Sequence, residues 1–117
     1  KVKEYNIESN NYFLVGFSQG TMLALYTAIR EKMSGVVGYS GAFIGKIIDT
    51  LEHRNDFLLI HGNEDKVVPV TRMYNAHEIL KDKVNYIDTK VYNSLEHSIN
   101  DQGLKAGCSF IQKRLNF

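Results

Sequence analysis

The chain alternates short apolar runs with longer stretches in which apolar residues recur every three or four positions. Tyr12–Phe17 (YFLVGF), Gly35–Tyr39 (GVVGY) and Phe57–His61 (FLLIH) are nearly unbroken apolar runs, as expected of strands covered on both faces. Tyr86–Tyr92 alternates instead. Tyr86, Asp88, Lys90 and Tyr92 fall on one face, and Ile87, Thr89 and Val91 on the other. That period of two predicts a half-exposed edge strand. Three stretches carry the helical period. The first runs from Gln19 to about Met33, with Met22, Leu25, Tyr26, Ile29 and Met33 on one face, and Gly35 breaks it. The second runs from Thr71 to about Asp82, with Met73, Ala76 and Leu80 inside. The third runs from Asp101 to Leu115, with Leu104, Cys108, Ile111 and Leu115 as its inner stripe. Ala42–Asn55 is ambiguous, with room for a short helix. Met22, Tyr26, Phe110 and Cys108 are read as core.

Alternation of strand and helix predicts an α/β sheet layered by helices. Tyr12–Phe17 reads as an interior strand, yet only Lys1–Asn11 precede it. An uncovered strand edge at that end invites pairing with another chain.

Composition adds bounds. A length of 117 residues favours one domain spanning 1–117. Fourteen Lys and Arg stand against thirteen Asp and Glu, so nothing in the overall charge attracts nucleic acid or an anionic membrane. A single cysteine excludes an internal disulfide and a Cys-based zinc site. No apolar run approaches the roughly 18 residues of a spanning helix. No signal peptide is visible, and the expected location is cytoplasmic. The chain begins with Lys1 rather than Met, which leaves a lost export signal open.

The chemistry begins at Gly16-Phe17-Ser18-Gln19-Gly20, a Gly-x-Ser-x-Gly pattern between a predicted strand and a predicted helix. That is the placement of a nucleophile elbow. The sharp reversal forces the serine into a strained conformation and brings its two glycines close, so both are expected to need the absence of a Cβ. Ser18 is then held above the sheet, and the Gln19 N–H can donate to an oxyanion. The bland reading is a serine that caps a helix.

A serine nucleophile needs a base, and the base an orienter. In a parallel sheet the loops after later strands gather beside the elbow. Asp65 follows the third strand and His61-Gly62-Asn63, with Glu64 as its neighbouring rival. His97 follows the fourth strand and Asn93-Ser94-Leu95-Glu96. Either could be an ordinary surface residue. Of the other histidines, His53 lies in the ambiguous segment, His77 on the outer face of a helix, and His61 is read as positioning the turn. No HExxH motif or paired cysteine points to a metal. The chain order Ser18…Asp65…His97 is that of α/β-hydrolases. A flavodoxin-type binding domain has less support, because no phosphate-cradling Gly-rich loop is present.

GFSQG, HGNEDKVVPV and LEHS resemble the three motif blocks of the phospholipase/carboxylesterase family of α/β-hydrolases, which includes acyl-protein thioesterases. IESNNYFLVGFSQG is similar to the family's strand and elbow, and GVVGYSGAF to its next strand and loop. Thr21 departs from the small residue, often glycine, usual at that position. The resemblance spans essentially the whole chain and favours Asp65 over Glu64 as the acid. It implies a partial α/β-hydrolase fold of about four mostly parallel strands, the C-terminal half, without the N-terminal strands. It implies Ser18, Asp65 and His97 as catalytic residues, Gln19 at the oxyanion hole, no metal and no cofactor, and a small acyl ester or thioester as substrate. Phe17 would border the acyl pocket or pack in the core. The absent half would bring the strand flanking Tyr12–Phe17, the second oxyanion N–H and much of the acyl groove. The isolated chain is therefore expected to be weak or inactive, and to pair through Tyr12–Phe17 with that half or with its own copies. The alternative is a catalytically inactive remnant acting as a self-associating module.

Overall fold

The computed structural model describes residues 12–45 and 55–115. The elements run β1 (Phe13–Phe17), α1 (Gln19–Ala28), β2 (Gly35–Tyr39), β3 (Asp56–Gly62), α2 (Thr71–Leu80), β4 (Tyr86–Tyr92) and α3 (Asp101–Arg114). The four strands form one parallel sheet in the order β1-β2-β3-β4. Predicted and observed strands agree to within one residue at each end. His53 and most of the ambiguous segment lie outside the described residues.

Helices cover both faces of the sheet. On one, α1 packs on β1 and β2, and α2 on β3 and β4. Their shared core includes Leu25, Val36, Phe57, Leu59, Met73 and Leu80. On the other, α3 packs on β2 and β3 around Val37, Tyr39, Leu58, Ile60 and Phe110. Double coverage explains why β2 and β3 read as unbroken apolar runs. β4 is the expected half-exposed edge. Among the described residues β1 forms the opposite edge, with Val15 59% and Phe17 40% exposed.

Two helices differ from the sequence reading. The regular part of α1 ends at Ala28, and its buried face is Thr21, Ala24, Leu25 and Ala28. Ile29 and Met33 are buried beyond it, but Met22 is only partly covered and Tyr26 is exposed, its ring under the Arg30 guanidinium. The helix is rotated by about one position because small residues, Ala24 and Ala28, let it approach the sheet. Asn55 stops it. This buried side chain accepts from the Met33 N–H and donates to the Ala28 and Glu31 carbonyls; carbonyls are the groups that the end of a helix leaves unpaired.

In α3 the inner face is Gly103, Gly107 and Phe110. Leu104 and Cys108 are exposed, which corrects the predicted stripe and removes Cys108 from the core. Ile111 remains packed against the core. Tyr39 is the reason. Its hydroxyl donates to the Gly103 carbonyl at 2.9 Å, and a Cβ on Gly107 would collide with it. Glycine has no apolar weight in a periodicity, so a face built on glycine is invisible to that reading. Among the described residues, no helix is long and apolar enough to cross a membrane.

Candidate active site

Ser18 sits between β1 and α1 with φ 57° and ψ −116°, a backbone conformation that non-glycine residues rarely adopt. Its N–H donates to the Tyr39 carbonyl at 2.9 Å. The Thr21 hydroxyl donates to the same carbonyl at 2.8 Å, so two bonds tie the turn to the end of β2. A Cβ on Gly16 would strike the Gly20 backbone, as expected of an elbow. Gly20 differs from expectation, because a Cβ there would meet nothing within 4 Å outside its helix. Thr21, the departure from the family pattern, is accommodated by Gly38 and Gly41, whose missing side chains leave it room. Sequence reading missed this role because the compensating glycines lie on another strand and its loop.

The Asp65 and His97 loops are joined by hydrogen bonds. The Asn63 N–H reaches the Tyr92 carbonyl at 3.0 Å, and the Glu64 N–H the Leu95 carbonyl at 3.0 Å. The Asn63 side chain accepts from the Ser94 N–H at 2.9 Å. Gly62 permits the contact, since a Cβ there would overlap the Leu95 carbonyl. Register brings the loops together: Gly62 pairs with Tyr92 at the ends of β3 and β4.

These constraints bring three predicted side chains into one hydrogen-bonded chain. His97 Nδ1 lies 2.7 Å from Asp65 Oδ2, and His97 Nε2 lies 3.0 Å from Ser18 Oγ. A carboxylate only accepts, so Nδ1 carries the hydrogen and Nε2 is free to accept from the serine hydroxyl. The Asp65 side chain is fully buried, while His97 is one-fifth exposed (20%). Asp65 Oδ1 also accepts from the Val67 and Val68 N–H groups at 2.9 and 2.8 Å. Burial alone pushes the Asp65 carboxyl up. The hydrogen bond from His97, those from Val68 and Val67, and attraction to His97 outweigh it, leaving its pKa below the ordinary value. Glu64, the rival acid, is exposed.

Gln19 is the first residue of α1, so its N–H belongs to those that the helix does not use. The Ser18 N–H is spent on Tyr39. The Phe17 ring lies against the His97 imidazole, centroids 4.8 Å apart and planes at 43°. His61 is buried below the acid turn, and His77 is partly exposed beside Glu78. A groove of about 560 Å³ runs between β4 and α3, lined by Lys90, Lys105 and Lys113 among others. It contains none of Ser18, Asp65 or His97. Among the described residues, no group of His, Cys, Asp and Glu side chains could hold a metal ion.

Residues 1–115 match the model of the phospholipase/carboxylesterase family. The chain is 31% identical to acyl-protein thioesterase 1 of Saccharomyces cerevisiae, over 94% of its own length and 52% of that protein's. It is 26% identical to esterase YpfH of Escherichia coli, over 88% of its length and 45% of that protein's. Among solved structures, esterase PE8 superposes with a TM-score of 0.90 at 29% identity, covering 97% of this chain and 55% of the other. Arabidopsis thaliana SOBER1 gives 0.85 at 25% identity, covering 98% and 60%. The chain thus spans about half the length of the relatives it matches. With the elbow, its loops and the parallel sheet in place, this chain belongs to the phospholipase/carboxylesterase family of α/β-hydrolase fold.

Proposed function

We propose that the protein is a serine hydrolase of ester or thioester bonds. Ser18 is the nucleophile, His97 the general base and Asp65 the group that orients it. The observation that carries this reading is the hydrogen-bonded run from Asp65 through His97 to the Ser18 hydroxyl. Ser18 Oγ attacks the acyl carbonyl as its proton passes to His97 Nε2. Asp65 holds the imidazole in the productive tautomer and balances the imidazolium. The Gln19 N–H donates to the tetrahedral oxyanion. His97 then gives its proton to the departing alcohol or thiol, leaving an acyl-serine. Water, deprotonated by His97, attacks that ester and releases the acid, and the proton returns to Ser18. Phe17 buttresses the imidazole and borders the acyl site. No metal or cofactor enters these steps. Cytoplasmic action belongs to the same proposal.

The rate is set by what adjoins β1. A second oxyanion donor and an acyl groove have to be supplied by polypeptide paired with its edge. Lack of one oxyanion donor alone lowers the rate by about 10² to 10³.

A fluorophosphonate probe tests the reading. The expected result is labelling of Ser18, absent in Ser18→Ala and slowed in His97→Ala. Failure of the wild-type protein to label, both alone and with a polypeptide carrying the N-terminal strands of a relative, overturns it. A second reading, a self-associating module without catalysis, is favoured by one observation: the exposed apolar residues Val15 and Phe17 on an edge strand. It predicts concentration-dependent association together with no labelling.

A further inference from the structure

His61 is the penultimate residue of β3, 1% exposed. Its Nε2 lies 2.7 Å from the Val68 carbonyl oxygen. A carbonyl only accepts, so Nε2 carries the hydrogen. Val68 is therefore gripped at both ends: its C=O by His61 and its N–H by Asp65 Oδ1. The same Nε2 stands 3.5 Å from Asp65 Oδ2, the oxygen that faces His97. On the other side of the ring, Nδ1 is buried with no hydrogen-bond partner among the described residues. The ring lines a cavity of about 10 Å³, together with Thr21, Leu59 and Met73.

This is a poor arrangement for stability. A buried polar atom without a partner costs stability, and an apolar side chain of similar size would avoid that. The imidazole is accounted for by the one bond it does make. We propose that His61 is a positioning residue: through Val68 it fixes the Asp65 carboxylate so that Oδ2 points at His97. The inference rests on the hydrolase reading and joins His61, by way of Val68, to its hydrogen-bonded run.

Two replacements separate this role from mere filling of space. His61→Phe keeps the volume and removes the donor. His61→Gln places an amide N–H near the position of Nε2. The readouts in the intact protein are the low-field proton resonance of His97 Nδ1–H and the rate of fluorophosphonate labelling. His61→Phe is expected to lose the resonance and to label of the order of 10² slower, as displaced catalytic groups do. His61→Gln is expected to keep the resonance and to recover most of the rate. A folded His61→Phe with the wild-type resonance and rate overturns the proposal, as does His61→Gln behaving no better than His61→Phe. If His61→Phe does not fold, His61→Asn, whose amide falls short of Val68, takes its place; equality of Asn and Gln then overturns it. Should the wild-type protein label neither alone nor with the N-terminal strands of a relative, the hydrolase reading falls, and the resonance alone still decides the role of His61.

Discussion

A Cβ built on Gly16 would lie 2.5 Å from the Gly20 carbonyl carbon and 2.6 Å from the Thr21 nitrogen, yet one built on Gly20 has open space around it. The two glycines of the pattern are thus unequal. Gly16→Ala is expected to lower stability by about 1–3 kcal/mol through overpacking and to suppress Ser18 labelling. Gly20→Ala is expected to leave the melting temperature nearly unchanged, and thermal unfolding of the pair checks the contrast. Asp65 provides a second prediction. Its carboxyl titrates lower in the folded protein than in the unfolded chain. Its contribution to stability is therefore complete above the unfolded pKa of about 4 and is lost as pH falls through the folded value. Denaturant midpoints between pH 2 and 7 should show this loss in the wild type and a smaller slope in Asp65→Asn. Ser18, Asp65 and His97 were legible as candidates because each follows a strand in a recognisable turn. Thr21 was less so, since its bond to the Tyr39 carbonyl is encoded by no local pattern, and His61 was read as positioning the turn without its bond to Val68 being visible.

The elements were read with uneven success, and the difference has a physical cause. Strands covered by helices on both sides are apolar on both faces, so a run such as Phe57–His61 announces itself. A helix must be read by which face it buries, and that depends on its neighbour. α3 turns Gly103 and Gly107 to the sheet and leaves Leu104 and Cys108 in solvent. α1 ends where Asn55, distant in sequence, supplies three hydrogen bonds. Removing that side chain leaves buried backbone groups unpaired, at about 1–3 kcal/mol for each group without water. Asn55→Ala should therefore lower the melting temperature clearly and speed amide exchange at Met33, with little change in β4. Exchange measured residue by residue tests whether the effect is confined to the C-terminal end of α1.

At the scale of the molecule, the described residues form a parallel sheet with two unlike edges. β4 alternates polar and apolar residues and carries Lys90, a composition that discourages further pairing. β1 has a strand neighbour on one side only among the described residues and exposes Val15 and Phe17. The proposed pairing at this edge predicts self-association in sedimentation velocity, reduced by Val15→Lys, which places a charge on the exposed apolar strand. A wild-type protein that stays monomeric at tens of micromolar contradicts it. The order of elements, the parallel sheet class and the turns carrying Ser18, Asp65 and His97 were all written in local patterns, because strand composition and turn chemistry depend on neighbours a few positions away. Which face each helix buries, how the Asn63 and Leu95 loops interlock, and how a hydroxyl, an imidazole and a carboxylate from Ser18, His97 and Asp65 come within 3.0 Å of their partners depend on groups far apart in the chain. Those contacts exist only once packing has brought the strand ends into register.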